Sequence, residues 1–126
     1  MLNFIPNVTR SDVERIVTRD FAPAVADRVL SVLETYGVKP WHLEKERTQL
    51  ACLKLAHGDL RDLERHISVA GSDFRDAVGA AESPNLFRIG FVGMSKLMQS
   101  DPGAFEELQR EDWQQYQEWL AAGVSQ

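Results

Sequence analysis

The stretch that decides the fold is Asp101-Pro102-Gly103-Ala104-Phe105-Glu106-Glu107-Leu108-Gln109-Arg110-Glu111-Asp112-Trp113-Gln114-Gln115-Tyr116-Gln117-Glu118-Trp119-Leu120. Asp101 is a good N-cap, and Pro102 suits a first helical position, where the missing N–H would have had no partner. At about 100° per residue, Phe105, Leu108, Trp113, Tyr116, Trp119 and Leu120 gather into an arc of about 140°. The spacing predicts an amphipathic helix running to about Ala122. Such a helix draws most of its stability from packing its apolar face, so it needs a helical body to dock on.

The preceding residues supply that body. Their apolar spacing is helical nearly throughout, and no window alternates with period two for long enough to propose a sheet. Ser11-Asp12-Val13-Glu14 has capping-box spacing and opens a helix carrying Val13, Ile16 and Val17. Pro23 opens a second, with Val25, Val29, Val32, Leu33 and Tyr36 on one face until Gly37. Pro40 opens a third, with Leu43, Leu50, Leu53 and Ala56 inward and Gly58 as its stop. Asp59 caps a fourth, striped by Leu60, Leu63, Ile67 and Ala70 and ended by Gly71. Ser72 or Asp73 begins a fifth, with Phe74, Ala77, Val78 and Ala81, which halts at Ser83-Pro84.

Between Pro84 and Ser100 the pattern leaves the structure open. Leu86, Phe87, Ile89, Phe91, Val92, Met94, Leu97 and Met98 lie all round a helical wheel, with Gly90 and Gly93 among them. A helix apolar on every side is buried or faces a partner. Each glycine costs about 1 kcal/mol relative to alanine inside a helix, so an ordered loop competes. No solenoid period repeats, and the connections are short. The expectation is an all-α single domain over residues 1–126, a compact orthogonal or antiparallel array of five to seven helices.

Composition bounds the function. A chain of 126 residues, 44% apolar, fits one domain and buries enough surface to fold without disulfide or metal. The single cysteine, Cys52, lies amid Leu50, Ala51 and Leu53 and reads as a small buried hydrophobe. The first residues lack the basic and apolar regions of a secretory signal, so Asn7-Val8-Thr9 carries no weight as a glycosylation site. The least polar window, Pro84 to Met98, is interrupted by Arg88 and Lys96 and falls short of the ~20 apolar residues of a membrane span. A cytoplasmic protein with no membrane partner is expected.

The net charge is −5, and it sits at one end. Residues 101–126 hold Asp101, Glu106, Glu107, Glu111, Asp112 and Glu118 against Arg110 alone, while acids and bases cancel before them. No basic face is available to displace counterions from phosphates, which argues against nucleic acid as a partner.

Seven residues of the last helix form the candidate partner-binding set: Glu107, Glu111, Asp112, Trp113, Tyr116, Glu118 and Trp119. Three aromatics this close together suit a core face first, and the rigid anchors of a protein interface as the alternative. Glu107, Glu111 and Glu118 share the opposite face, either merely solvated or steering a basic partner. Asp112 falls inside the apolar arc, so it must be paired. An ion pair with Arg75 or Arg88 is expected, the alternative being an anchor for a partner's cation. The Asp73-Phe74-Arg75-Asp76 run reads as helix-start chemistry with structural ion pairing.

Catalytic and metal constellations are missing. His42 and Glu46 form one chelating pair without further ligands, and Cys52 and His57 diverge on the wheel. No phosphate loop, nucleophile elbow or zinc-protease motif occurs. No catalytic residue, metal or cofactor is expected. Arg61-Asp62-Leu63-Glu64-Arg65-His66 resembles the active-site motif of HEPN-type ribonucleases, a resemblance that would give Arg61 the phosphate and His66 the acid–base role. The two lie about 140° apart on one helix, which argues against joint action within one chain.

Leu53-Lys54-Leu55-Ala56-His57-Gly58-Asp59-Leu60, Asp73-Phe74-Arg75-Asp76 and the Asp112–Leu120 pattern together resemble small all-α bacterial proteins of unassigned function. The resemblance covers about half of the chain. It implies a bacterial cytoplasmic origin and brings no activity; the apolar Pro84–Ser100 stretch departs from it. The expected function is therefore a non-catalytic protein-binding module, an adaptor or an immunity-like protein with a possibly basic partner. The alternatives are a metal-independent ribonuclease using Arg61 and His66, and a homodimer with residues 86–98 as its seam.

Overall fold

A computed structural model describes residues 4–123. Its helices are α1 (Arg10–Asp20), α2 (Ala26–Glu34, entered through a 3₁₀ turn at Pro23–Val25), α3 (Lys45–Ala56), α4 (Leu60–Ser72), α5 (Phe74–Glu82), α6 (Pro84–Ser100) and α7 (Pro102–Ala121). The described residues contain no strand, and the helices pack as a single all-α domain.

Helix α3 is the axis of the body, packed against α1, α4 and α5. Burial runs nearly all round it, from Thr48 through Leu53 and again at Ala56. Its two polar residues inside the core donate to backbone carbonyls, while the Gln49 Oε1 has no hydrogen-bond partner among the described residues. The Gln49 amide donates to the Leu33 and Tyr36 carbonyls at 2.8 and 3.3 Å, and the Thr48 hydroxyl donates to the Leu43 carbonyl at 3.3 Å. Around α3 the core gathers Val13, Ile16, Val17, Val29, Leu33, Tyr36, Leu63 and Ile67. Each fully buried aliphatic side chain contributes about 1.5–3 kcal/mol.

Several helix starts follow local chemistry. Asp59 accepts from the Asp62 N–H at 2.9 Å, Asp73 from the Arg75 N–H at 3.0 Å, and Asp101 from the Ala104 N–H at 3.0 Å. Arg75 also grips Asp73 with its guanidinium Nε and Nη2, and these bonds hold the Asp73 carboxyl down to about 2.

Two expected starts are corrected. Helix α1 begins two residues earlier than expected, with Thr9 in place of Ser11 as N-cap and Asp12 accepting from the Thr9 N–H at 2.9 Å. Helix α3 begins at Lys45 instead of Pro40, and Leu43, expected inward, is exposed. The intervening loop is organised by His42, whose Nδ1 accepts from the Gly37 and Lys39 N–H groups while its ring stacks on Tyr36. The Tyr36 hydroxyl closes the loop by donating to the Leu43 carbonyl at 2.6 Å.

The stretch left open by sequence is helical, with one break. Gly90 has φ 82° and ψ 172°, a backbone region that only glycine enters readily. Before it, Leu86 is buried and Phe87 lies against Gly79 of α5; as a whole, α6 packs chiefly on α7.

A methyl group at Gly90 would meet no atom within 4 Å, so Gly90→Ala isolates the backbone cost. It is expected to lose about 1–3 kcal/mol in urea unfolding, whereas Gly103→Ala, in a helical turn, should be neutral or better. Burial pushes the Cys52 thiol up to about 12. A thiol reagent at pH 8 should therefore leave it untouched in native protein and react promptly once urea unfolds the chain.

Candidate functional site

The polar residue that interrupts the apolar stripe of α7 has a specific task. Asp112 is 1% exposed, and its two oxygens accept from the backbone N–H groups of Asn85 and Leu86 at 3.1 and 3.2 Å. These are first-turn amides of α6, which have no intrahelical acceptor, and they carry the positive end of the helix dipole. The expected ion pair is therefore replaced by a cap supplied from another helix. Arg75 is taken by Asp73, and Arg88 donates to the Asn85 side-chain oxygen at 3.1 Å. A lysine contributes at longer range: burial lowers the Lys54 ammonium, and the Asp112 charge partly opposes that.

Neighbouring groups tie the same junction to the body. The Gln115 amide donates to the carbonyls of Ala81 and Glu82 at 3.2 and 3.3 Å, satisfying the last turn of α5. Glu82, itself buried, receives two bonds from Arg47 of α3, both 2.7 Å. That pairing raises the Arg47 guanidinium above its ordinary value. Tyr116 is fully buried between these groups, its hydroxyl has no hydrogen-bond partner, and burial pushes its ionisation up.

The two tryptophans serve different ends of α7. Trp113 is half-buried and carries the Phe4 ring on its face, with centroids 5.0 Å apart and planes inclined by 22°. Trp119 packs on the core, tilts against Tyr116 at 5.6 Å and lies under the Arg19 guanidinium at 5.1 Å. Arg19 also donates to the Trp119 and Ala122 carbonyls at 2.5 and 3.1 Å, and Arg15 to the Leu120 carbonyl at 2.6 Å. Two cations thus hold the negative end of the α7 dipole against α1.

Of the seven candidate partner-binding residues, Asp112 and Tyr116 are enclosed and belong to no docking surface. Trp113 and Trp119 are partly covered by the chain itself, and Glu107, Glu111 and Glu118 are exposed. The surface that the charge pattern did not single out lies on α6. Flanking the Gly90 break, Phe87 and Ile89 are 44% and 41% exposed, and Phe91 and Val92 are 88% and 70% exposed. The signal was present in the sequence as apolar residues on every side of one helix, a pattern that the body cannot bury completely.

The remaining motifs are dispersed. Arg61 is exposed and His66 half-buried on α4, and desolvation together with Arg65 lowers the His66 imidazole. The cleft between α2 and α4 is lined by Glu64, Ile67 and Ser68, not by Arg61 or His66. His42 spends its Nδ1 lone pair on backbone amides. Among the described residues no group of three or more His, Cys, Asp or Glu could hold a metal ion, and no helix is long and apolar enough to cross a membrane. Comparison with protein families, with curated proteins and with solved structures finds no match to this chain.

Asp112→Ala removes the acceptor for two buried amides and is expected to cost about 1–3 kcal/mol in urea unfolding. Asp112→Asn keeps an oxygen near the amides but loses the charge, and should fall between that variant and wild type.

Proposed function

We propose that this chain is a non-catalytic protein-binding module whose docking element is the α6–α7 hairpin. The observation that carries this reading is the exposure of Phe91 and Val92 immediately after the Gly90 break. An aromatic side chain 88% exposed gains nothing from the fold that presents it. Partner surfaces use such side chains as anchors in pockets, where a few residues carry most of the binding energy. The neighbouring helix α7 supplies exposed Glu107, Glu111 and Glu118, so the fitting partner has an apolar pocket rimmed by basic groups. An adaptor or an immunity-like protein neutralising a basic target has this combination of apolar anchor and acidic flank.

A second copy of the chain competes for the same surface, because residues 86–98 hold Arg88 and Lys96 but no acid, whereas α7 is acidic. The double substitution Phe91→Ser, Val92→Ser separates the possibilities without touching buried positions. Photo-crosslinking from position 95 in the native host should give an adduct with a basic protein that the double variant loses and Val69→Ser keeps. Binding of that protein should weaken by at least about tenfold, the loss of one anchor residue. Light scattering should show a monomer; a dimer that the double variant dissociates would reassign the surface to a second copy. Equal adducts from wild type and double variant would overturn the proposal.

A further inference from the structure

The ends of α1, α3 and α7 meet around an open cleft of about 340 Å³. Arg19 and Asp20 line it from α1, Lys54, His57 and Gly58 from the end of α3, and Trp119 from α7. The close approach of α1 and α3 depends on Gly58, which has φ 78° and where a Cβ would lie 3.0 Å from the Asp20 carbonyl oxygen.

The negative group on this wall is already matched. Arg19, with a side chain 8% exposed, holds both Asp20 oxygens, at 2.7 and 3.1 Å, while its guanidinium lies over Trp119. The groups able to take an anion are not matched. Lys54 is half-buried, and neither its ammonium nor the His57 imidazole has a hydrogen bond or ion pair among the described residues. Burial lowers the Lys54 ammonium, and the Asp112 charge opposes this only in part. An anion seated beside Lys54 would offset the same desolvation. His57 is kept there at a conformational cost: its φ 50° and ψ 40° are left-handed, at a helix end where glycine is the ordinary occupant. Backbone outliers of this kind collect at binding sites, so an imidazole where glycine would be easier is a second pointer to a ligand.

We propose that this cleft binds a small organic monocarboxylate. The Lys54 ammonium forms the ion pair, the His57 imidazole donates to the second carboxylate oxygen, and the ligand's apolar body rests against Trp119. One unmatched ammonium suits a single negative charge better than the two of a phosphate. Lys54 also stands in the last turn of α3, where a cation complements the helix dipole, and the two roles predict different results. Neither Phe91 nor Val92 lines the cleft, so it and the α6 surface can fail separately.

The test titrates sodium benzoate into the ¹⁵N-labelled chain at neutral pH and constant ionic strength, with benzamide and inorganic phosphate as comparisons. Benzoate should shift the Trp119 indole N–H and the Gly58 amide saturably. Benzamide, of the same shape without the charge, should need at least about tenfold more. Lys54→Met keeps the apolar stem and removes the charge; with helical circular dichroism unchanged, it should weaken benzoate binding at least about tenfold. His57→Gly should weaken binding several-fold while raising the urea midpoint, a combination that relief of backbone strain alone does not give. In the wild-type chain, equal responses to benzoate and benzamide, or a benzoate response that does not saturate, would overturn the proposal whether or not the variants fold. A folded Lys54→Met that binds benzoate as wild type does would leave the lysine to the helix dipole alone and overturn it too. Tighter saturable binding of phosphate at the same signals would do the same.

Discussion

One buried carboxylate links the two halves of the molecule. Asp112 reaches from the middle of α7 to the first amides of α6, at the turn where α5 gives way to α6. Desolvating a charge is expensive, and two charge-assisted hydrogen bonds together with the positive helix terminus offset that cost. The contact fixes where the α6–α7 hairpin meets the body. Gln115 and the Arg47–Glu82 pair add to it from either side, so the last turn of α5, the first turn of α6 and the middle of α7 form one polar joint. Tyr116 lies within that joint, which is why an aromatic from the apolar stripe has ionised groups around it.

The order of helices was legible because their ends are written in neighbouring residues. Asp59, Asp73 and Asp101 cap helices they immediately precede, and capping depends on nothing farther away. Helix α1 shows how narrow such signals are: Thr9 with Asp12 and Ser11 with Glu14 both have cap spacing, and only the fold selects the first. The loop before α3 was misread because its order comes from His42 accepting backbone amides, a use of a histidine that spacing does not reveal. Gly90 was visible as a problem, since a helix former would have served better, but its positive φ belongs to the backbone and not to the residue name.

The candidate site was only partly legible for a related reason. Asp112 stands in the apolar arc as a residue that needs a partner, and among side chains the arginines are the natural choice. Backbone N–H groups belong to every residue except proline, so no inventory of side chains points to Asn85 and Leu86. The tryptophans look alike in the sequence, yet Trp119 is core and Trp113 is the floor of a groove filled by Phe4. The acidic residues Glu107, Glu111 and Glu118 did come out exposed, as their common face implied. What they flank, the apolar shoulder at Gly90, follows from a break in α6 that arithmetic on charge could not locate.

The far end of α7 is held in a different currency. Arg15 and Arg19 grip the carbonyl oxygens of Trp119, Leu120 and Ala122. A main-chain oxygen is the same whichever amino acid bears it, so at the exposed Ala122 the clasp reads position and ignores identity. Related chains are then free to drift at this alanine while keeping both arginines, and the signature of this anchor would appear on α1, about a hundred residues upstream of the segment it secures.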